Sequence, residues 1–333
     1  MSVSGLLTLS AAVYLLAGCS PRVATSFWKI GTEADSVRPG YAVMAEGKKV
    51  RHCYPITEWT ADPAIDTYHQ LHHHGVAVES ELMAYRIYFD KKQTIDPYCK
   101  RKPQLELAQS HWYPNDSLLA EGYGDDILRV SGTIGVGSVK YWNGKKQVHI
   151  EPVAERSQRI VSKKKNEATI EVAVKGWTPV LPEDQKTSRP VDFTTSYTMH
   201  AGHRDLRCDV SLSEPVEGLC TGVQTIPAKG ENLQSSIFNL QLPNGVLLAS
   251  FGTDWPVNDS AKYAKETVGL AVFIPKAYAG EIVQDKQNLL CLLKGANPHF
   301  YLTCVGATKE NHPVARTAEE WLTYLRRWAK HLR

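Results

Sequence analysis

Along most of the chain, apolar and polar residues alternate with a period of two. Met83, Tyr85, Ile87 and Phe89 fall on one face of an extended segment, with Ala84, Arg86, Tyr88 and Asp90 on the other. That is the pattern of a strand that turns one face to a core. Comparable stretches recur at residues 127–131, 138–142, 148–152, 168–174, 193–200, 206–212, 237–242, 246–251 and 268–274. Turn signals separate them. Asn143-Gly144 and Asn244-Gly245 suit tight hairpins because both residue types tolerate positive φ. Lys163-Lys164-Lys165 reads as a solvated hairpin tip. The C-terminus alone follows helical spacing: Thr317 and Glu320 form a capping box, and Trp321, Leu325, Trp328 and Leu332 make an apolar stripe. These tryptophans are expected as core anchors. The pattern predicts an all-β chain, a large antiparallel β-sandwich with a C-terminal helix.

The N-terminus changes the picture. An apolar run from Leu6 to Leu16 is too short to span a bilayer and ends in Leu16-Ala17-Gly18-Cys19. Small residues before a cysteine suit a lipoprotein signal peptidase, so residues 1–18 are expected as a signal peptide and Cys19 as the site of lipid attachment. Residues 19–27 would be a tether and 28–333 a single β-sandwich domain. The expected location is the periplasm or the outer membrane, with the membrane engaged through the lipid at Cys19. The net charge of +3 with scattered basic residues argues against nucleic acid as a partner.

Six cysteines follow Cys19: Cys53, Cys99, Cys208, Cys220, Cys291 and Cys304. An oxidising compartment permits disulfides among them, with no pairing legible, and CxxC spacing is absent. Cys291 and Cys304 sit in apolar runs that read as adjacent core strands, where buried thiols or a bridge are equally compatible.

Two segments concentrate candidate chemistry. In the first, His72-His73-His74 precedes Glu79, Glu81 and Arg86. Three adjacent histidines cannot all face one way, and one pointing into a cleft would suit proton transfer near neutral pH. Arg86 is equally readable as an ion-pair partner of Asp90 or Asp96. A zinc site on His72, His74 and Glu79 lacks HExxH-type spacing, so no metal and no cofactor are expected. The second segment, from Phe251 to Glu266, is a loop after a strand that carries Asp254, Trp255, Lys262 and Tyr263. An aromatic among acids and amides is what sugar recognition uses. A third stretch, His200-Ala201-Gly202-His203-Arg204-Asp205, reads as a hairpin turn.

The stretch from His72 through Glu79-Ser80-Glu81-Leu82-Met83-Ala84-Tyr85-Arg86-Ile87-Tyr88-Phe89-Asp90 to Asp96 resembles a family of exported proteins from bacterial polysaccharide-utilisation systems. So do Phe251-Gly252-Thr253-Asp254-Trp255-Pro256 and Glu266-Thr267-Val268-Gly269-Leu270-Ala271. That family, long known as a domain of unknown function, is similar to ulvan-oligosaccharide dehydratases. The resemblance implies a galactose-mutarotase-like supersandwich acting on an oligosaccharide that contains uronic acid. The implied reaction removes water from a terminal uronic acid to leave a 4,5-unsaturated uronate. Expected in catalysis are Arg86 on the sugar carboxylate, His73 or His74 moving a proton, and Tyr263 opposite. Glu79, Glu81, Asp254, Trp255 and Lys262 are expected to bind substrate. Alternatives are a polysaccharide lyase, a glycoside hydrolase pairing Glu79 or Glu81 with Asp254, or a non-catalytic sugar-binding lipoprotein.

Overall fold

A computed structural model describes residues 22–46, 49–62, 64–110, 113–179, 189–226, 236–257 and 263–333. Cys19, the leader and Lys262 lie outside the described residues. The largest sheet has nine strands in the order β17 (Ser236–Leu242), β18 (Gly245–Asp254), β19 (Glu266–Pro275), β22 (His299–Gly306), β15 (Leu206–Leu212), β14 (Val191–His200), β13 (Glu167–Trp177), β12 (Glu155–Lys163) and β5 (Glu58–Ala61). Two five-stranded sheets accompany it. One runs β1 (Val23–Ser26), β6 (Gly75–Ser80), β7 (Met83–Tyr88), β8 (Ile95–Cys99), β9 (Asp125–Asp126). The other runs β11 (Gln147–Val148), β10 (Lys140–Trp142), β16 (Leu219–Gln224), β21 (Asn288–Leu293), β20 (Ala279–Gln284). A three-stranded sheet holds β2 (Trp28–Gly31), β4 (Lys49–Pro55) and β3 (Ala42–Glu46). The strand pairs are antiparallel.

One apolar cluster joins the three larger sheets. Val76, Val78, Met83, Tyr85 and Ile87 from the β1–β9 sheet meet Ile170, Val172, Leu248, Leu270 and Leu302 from the nine-stranded sheet, with Val223 and Leu289 from the third. The two smaller sheets therefore back onto one face of the large one, a sandwich as the alternation predicts. On β13 buried and less buried residues alternate strictly from Ala168 to Val174. On β19, Val268 to Pro275 are all buried. The difference has a physical cause: the C-terminal helix (Ala318–Ala329) covers the far face of β18 and β19, where Leu247, Ala249, Ala271 and Phe273 pack against Trp321 and Leu325. Gly269 is needed there, because a Cβ would stand 2.8 Å from the Trp321 ring. The Thr317 hydroxyl accepts the Glu320 N–H at 3.2 Å, and the Glu320 carboxylate accepts the Arg316 N–H at 2.7 Å.

Some expectations need correction. Residues 127–130 run without strand pairing after the short β9. The helix stops at Ala329, so Leu332 lies beyond it while still packing on the same cluster. Cys291 and Cys304 belong to different sheets, on β21 and β22. All six cysteines after Cys19 are buried free thiols.

Candidate active site

The β1–β9 sheet turns its odd-numbered β7 residues to the core, which leaves Ala84, Arg86 and Tyr88 on the outer face. The register sets Ala77 and Asp96 opposite Arg86 on its two neighbouring strands, and Asp126 opposite Tyr98 one strand further. Ala77 is small, so the guanidinium has room to lie across the sheet. It pairs with Asp96 at 2.6 Å and with Asp126. The Tyr88 hydroxyl donates to the same Asp96 oxygen at 2.6 Å, and the Tyr98 ring centroid lies 5.7 Å from the guanidinium carbon. Burial opposes the charge of Arg86, but the Asp96 carboxylate and the Tyr88 hydroxyl outweigh it and raise its pKa. Burial pushes the Tyr88 hydroxyl well up.

The histidine run forms a tight turn leading into β6. His73 and His74 both adopt left-handed backbone, with φ of 57° and 59°. Two successive residues with side chains in that region are uncommon, and such conformations gather at functional sites. Gly75 closes the turn where any Cβ would meet the Ile87 carbonyl at 1.9 Å. His73 donates from Nε2 to the Leu107 carbonyl at 2.9 Å, and His74 donates from Nδ1 to the Tyr68 carbonyl at 2.8 Å. A carbonyl only accepts, so each bond fixes which nitrogen carries the proton. The His74 ring stacks on Tyr68 with centroids 3.6 Å apart and meets Tyr88 edge-on. Burial lowers the His74 pKa to about 3, so the expectation of an imidazole poised near neutrality is corrected: His74 stays neutral at physiological pH.

The second segment closes on the first. Arg129 follows Asp126 by three residues and holds Asp254, at the end of β18, at 3.2 and 3.4 Å. Its side chain keeps 25% of its surface exposed, against 3% for Arg86. Asp254 caps its own strand end by accepting the Trp255 N–H at 2.8 Å, and the Lys265 ammonium sits 5.4 Å from the Trp255 ring. Tyr263 packs its ring 6.0 Å from that of exposed Tyr113, whose hydroxyl is within electrostatic reach of Arg86. Contacts lead from His74 through Tyr88 and Asp96 to Arg86, and Tyr113 stands between Arg86 and Tyr263, while Arg129 ties Asp254 to the segment after β9.

Glu79 and Glu81 are not part of this group. Glu79 is fully buried, paired with Lys100, and accepts the N–H groups of Glu106 and Leu107 at 2.8 and 3.0 Å. With both oxygens committed to the protein, it pins the 104–107 loop and has nothing left to offer a sugar or a metal. Glu81 accepts from Arg22 and from the Gly202 N–H at 3.0 Å, which hold its pKa down although burial works the other way. Its partner loop is the 200–205 turn, where the Tyr85 hydroxyl donates to the Arg204 carbonyl and Ser80 to that of His203. A hydrolase pair built from Glu79 or Glu81 with Asp254 is corrected on the same ground. Among the described residues no three His, Cys, Asp or Glu side chains converge as a metal site.

Sequence reasoning missed Asp126, Tyr98, Tyr113 and Arg129. The adjacent acids Asp125-Asp126 before an apolar pair were the available signal. The 29–333 region matches the family model described as Domain of unknown function (DUF4861). The chain belongs to this family. Both chemical segments of this DUF4861 chain, with the aspartates and Arg129 that connect them, lie within the matched residues. No curated protein matches the chain. Among solved structures, a candidate aldose 1-epimerase from Klebsiella pneumoniae subsp. pneumoniae is similar at 10% identity, over 92% of this chain and 96% of that one, with a TM-score of 0.30. Similarity at that level carries no argument about activity.

Proposed function

We propose that this chain is a carbohydrate-active enzyme that eliminates water from a terminal uronic acid of an oligosaccharide, leaving a 4,5-unsaturated uronate. The observation that carries the reading is the Arg86, Asp96 and Asp126 cluster, with the Tyr113 and Tyr263 rings packed together near it and the partly exposed Arg129–Asp254 pair three residues on from Asp126. Clustered titratable groups of both signs, rimmed by aromatic rings, suit a reacting sugar better than passive binding. The resemblance of the two segments to polysaccharide-utilisation proteins points the same way.

Removing the C5 proton builds negative charge on the C6 carboxylate, which a cation must meet. Arg86 is a poor receptor for that carboxylate, because two aspartates already fill its guanidinium and a third anion would be repelled. Arg129 is the better one: a quarter of its side chain is exposed, and a guanidinium grips a carboxylate through two N–H groups. Arg86 instead fixes Asp96 and Asp126 and presents positive charge to Tyr113, which favours a phenolate during proton transfer. In this scheme one tyrosine, Tyr113 or Tyr263, takes the C5 proton as its phenolate. The other delivers a proton to the 4-hydroxyl, which leaves as water while the C4–C5 double bond forms. Trp255 supplies an aromatic face to the sugar. Export with lipid on Cys19 belongs to the same proposal, resting on Leu16-Ala17-Gly18-Cys19.

Incubation with saturated oligosaccharides ending in a uronic acid should give a product lighter by one water that absorbs in the ultraviolet as a conjugated enoate. Chain shortening without loss of water would replace this reading with a lyase or hydrolase. An unchanged substrate across the uronic-acid series would remove it.

A further inference from the structure

Two cavities lie outside the site described, the first of them next to it. The first, of about 640 Å³, is lined by Asp66, Tyr68, Asp90, Lys92 and Glu151 among others. Tyr68 is its connection to the site, since that ring stacks on His74 and meets Tyr88 edge-on. One aromatic layer therefore separates this cavity from Asp96 and Arg86. The second, of about 1090 Å³, is lined by Lys145, Lys146, His149, Glu151, Lys286 and Asn288 among others. Glu151 borders both, so the two adjoin at that residue.

The chemistry changes along this path. In the first cavity both lysines are paired with acids: Lys91 with Glu151 at 4.0 Å, Lys92 with Asp90 at 3.6 Å. In the second, Lys145 and Lys146 come from the turn between β10 and β11, and Lys286 from the turn between β20 and β21. All three are exposed, and none forms an ion pair among the described residues. Asp285 accepts the Gln147 and Gln287 N–H groups at 3.1 and 2.9 Å and the Asn288 amide at 2.8 Å, which fixes the two turns against each other. The far end thus presents three ammonium groups beside side-chain amides on a braced rim. A drug-sized ligand takes roughly 300–1,000 Å³; the first cavity lies within that range and the second slightly above it, so together they exceed what a single sugar fills.

We infer that this groove, from Tyr68 past Glu151 to Lys286, is a distal cleft that binds the chain of an acidic oligosaccharide several units from its reacting end. Carboxylate groups on the chain meet Lys145, Lys146 and Lys286, and the amides take hydroxyls. The inference rests on the proposed carbohydrate activity, but it concerns binding and is tested by binding.

Calorimetry on the full chain with hexagalacturonate, digalacturonate and neutral cellohexaose separates the cases. The acidic hexamer is expected to bind about tenfold more tightly than the dimer, with an affinity that falls as salt rises, because exposed charges are screened. The triple variant Lys145→Ala, Lys146→Ala, Lys286→Ala should erase the advantage of length and leave dimer binding unchanged. Equal affinity for hexamer and dimer, a variant that keeps the length dependence, or cellohexaose bound as tightly as the acidic hexamer would each overturn the inference. Length-dependent binding with no dehydration product would leave the cleft standing and remove the proposed reaction.

Discussion

Arg86 and Asp96 lie directly opposite each other on adjacent strands, and Asp126 reaches the same guanidinium from one strand beyond. Three charges thus share a buried site. Truncating Arg86 to Met leaves two buried carboxylates without their cation, and losing one partner of a buried pair costs about 3–5 kcal/mol. Urea unfolding of the variant should show a loss of that size. Loss of activity there would not by itself assign Arg86 a chemical role. A variant as stable as the parent would show that the aspartates find another cation.

Arg129 separates structure from chemistry better. Its pair with Asp254 is partly exposed, and such pairs contribute about 1 kcal/mol or less. The Arg129→Gln variant should therefore unfold within about 1 kcal/mol of the parent and lose about a hundredfold or more in kcat/KM on a uronic-acid substrate, as when a group facing developing charge is removed. Turnover close to normal would take Arg129 out of the mechanism.

Asp125 adds a pH signature. Burial raises its pKa to about 6, with the charge of Glu266 adding to the effect against Lys309, Arg86 and Arg101. The folded state favours the protonated acid, so this contribution is fully present below the unfolded pKa near 4 and is lost as pH rises through about 6. A two-unit shift corresponds to about 3 kcal/mol. The Asp125→Asn variant keeps an oxygen for the Asp126 N–H, bonded at 2.8 Å in the parent. Its stability relative to the parent should rise between pH 4 and pH 7 in thermal unfolding scans. A constant difference across that range would contradict the raised pKa.

The terminal helix offers a contrast between two tryptophans of one stripe. Trp321 is fully buried on Gly269 and Leu270, whereas Trp328 is only partly covered. Trp321→Ala should cost about 3–5 kcal/mol in denaturant unfolding, and Trp328→Ala clearly less. Equal costs would mean that the helix docks on a different face.

The strands that alternate, such as Leu206–Leu212, and the helix capped by Thr317 were legible because burial on one face writes a period into the sequence. The candidate chemistry of His73, His74, Arg86, Asp254, Trp255 and Tyr263 was legible as residue types clustered along the chain. Which groups meet was not. The commitment of Glu79 depends on Lys100, which follows β8, and on the 104–107 loop folding back onto it, and the double pairing of Arg86 depends on strand register across β7, β8 and β9. Local pattern fixes which face a residue takes within its own strand. Partners contributed by other strands and loops follow from pairing and packing over tens of residues, and those only the tertiary structure decides.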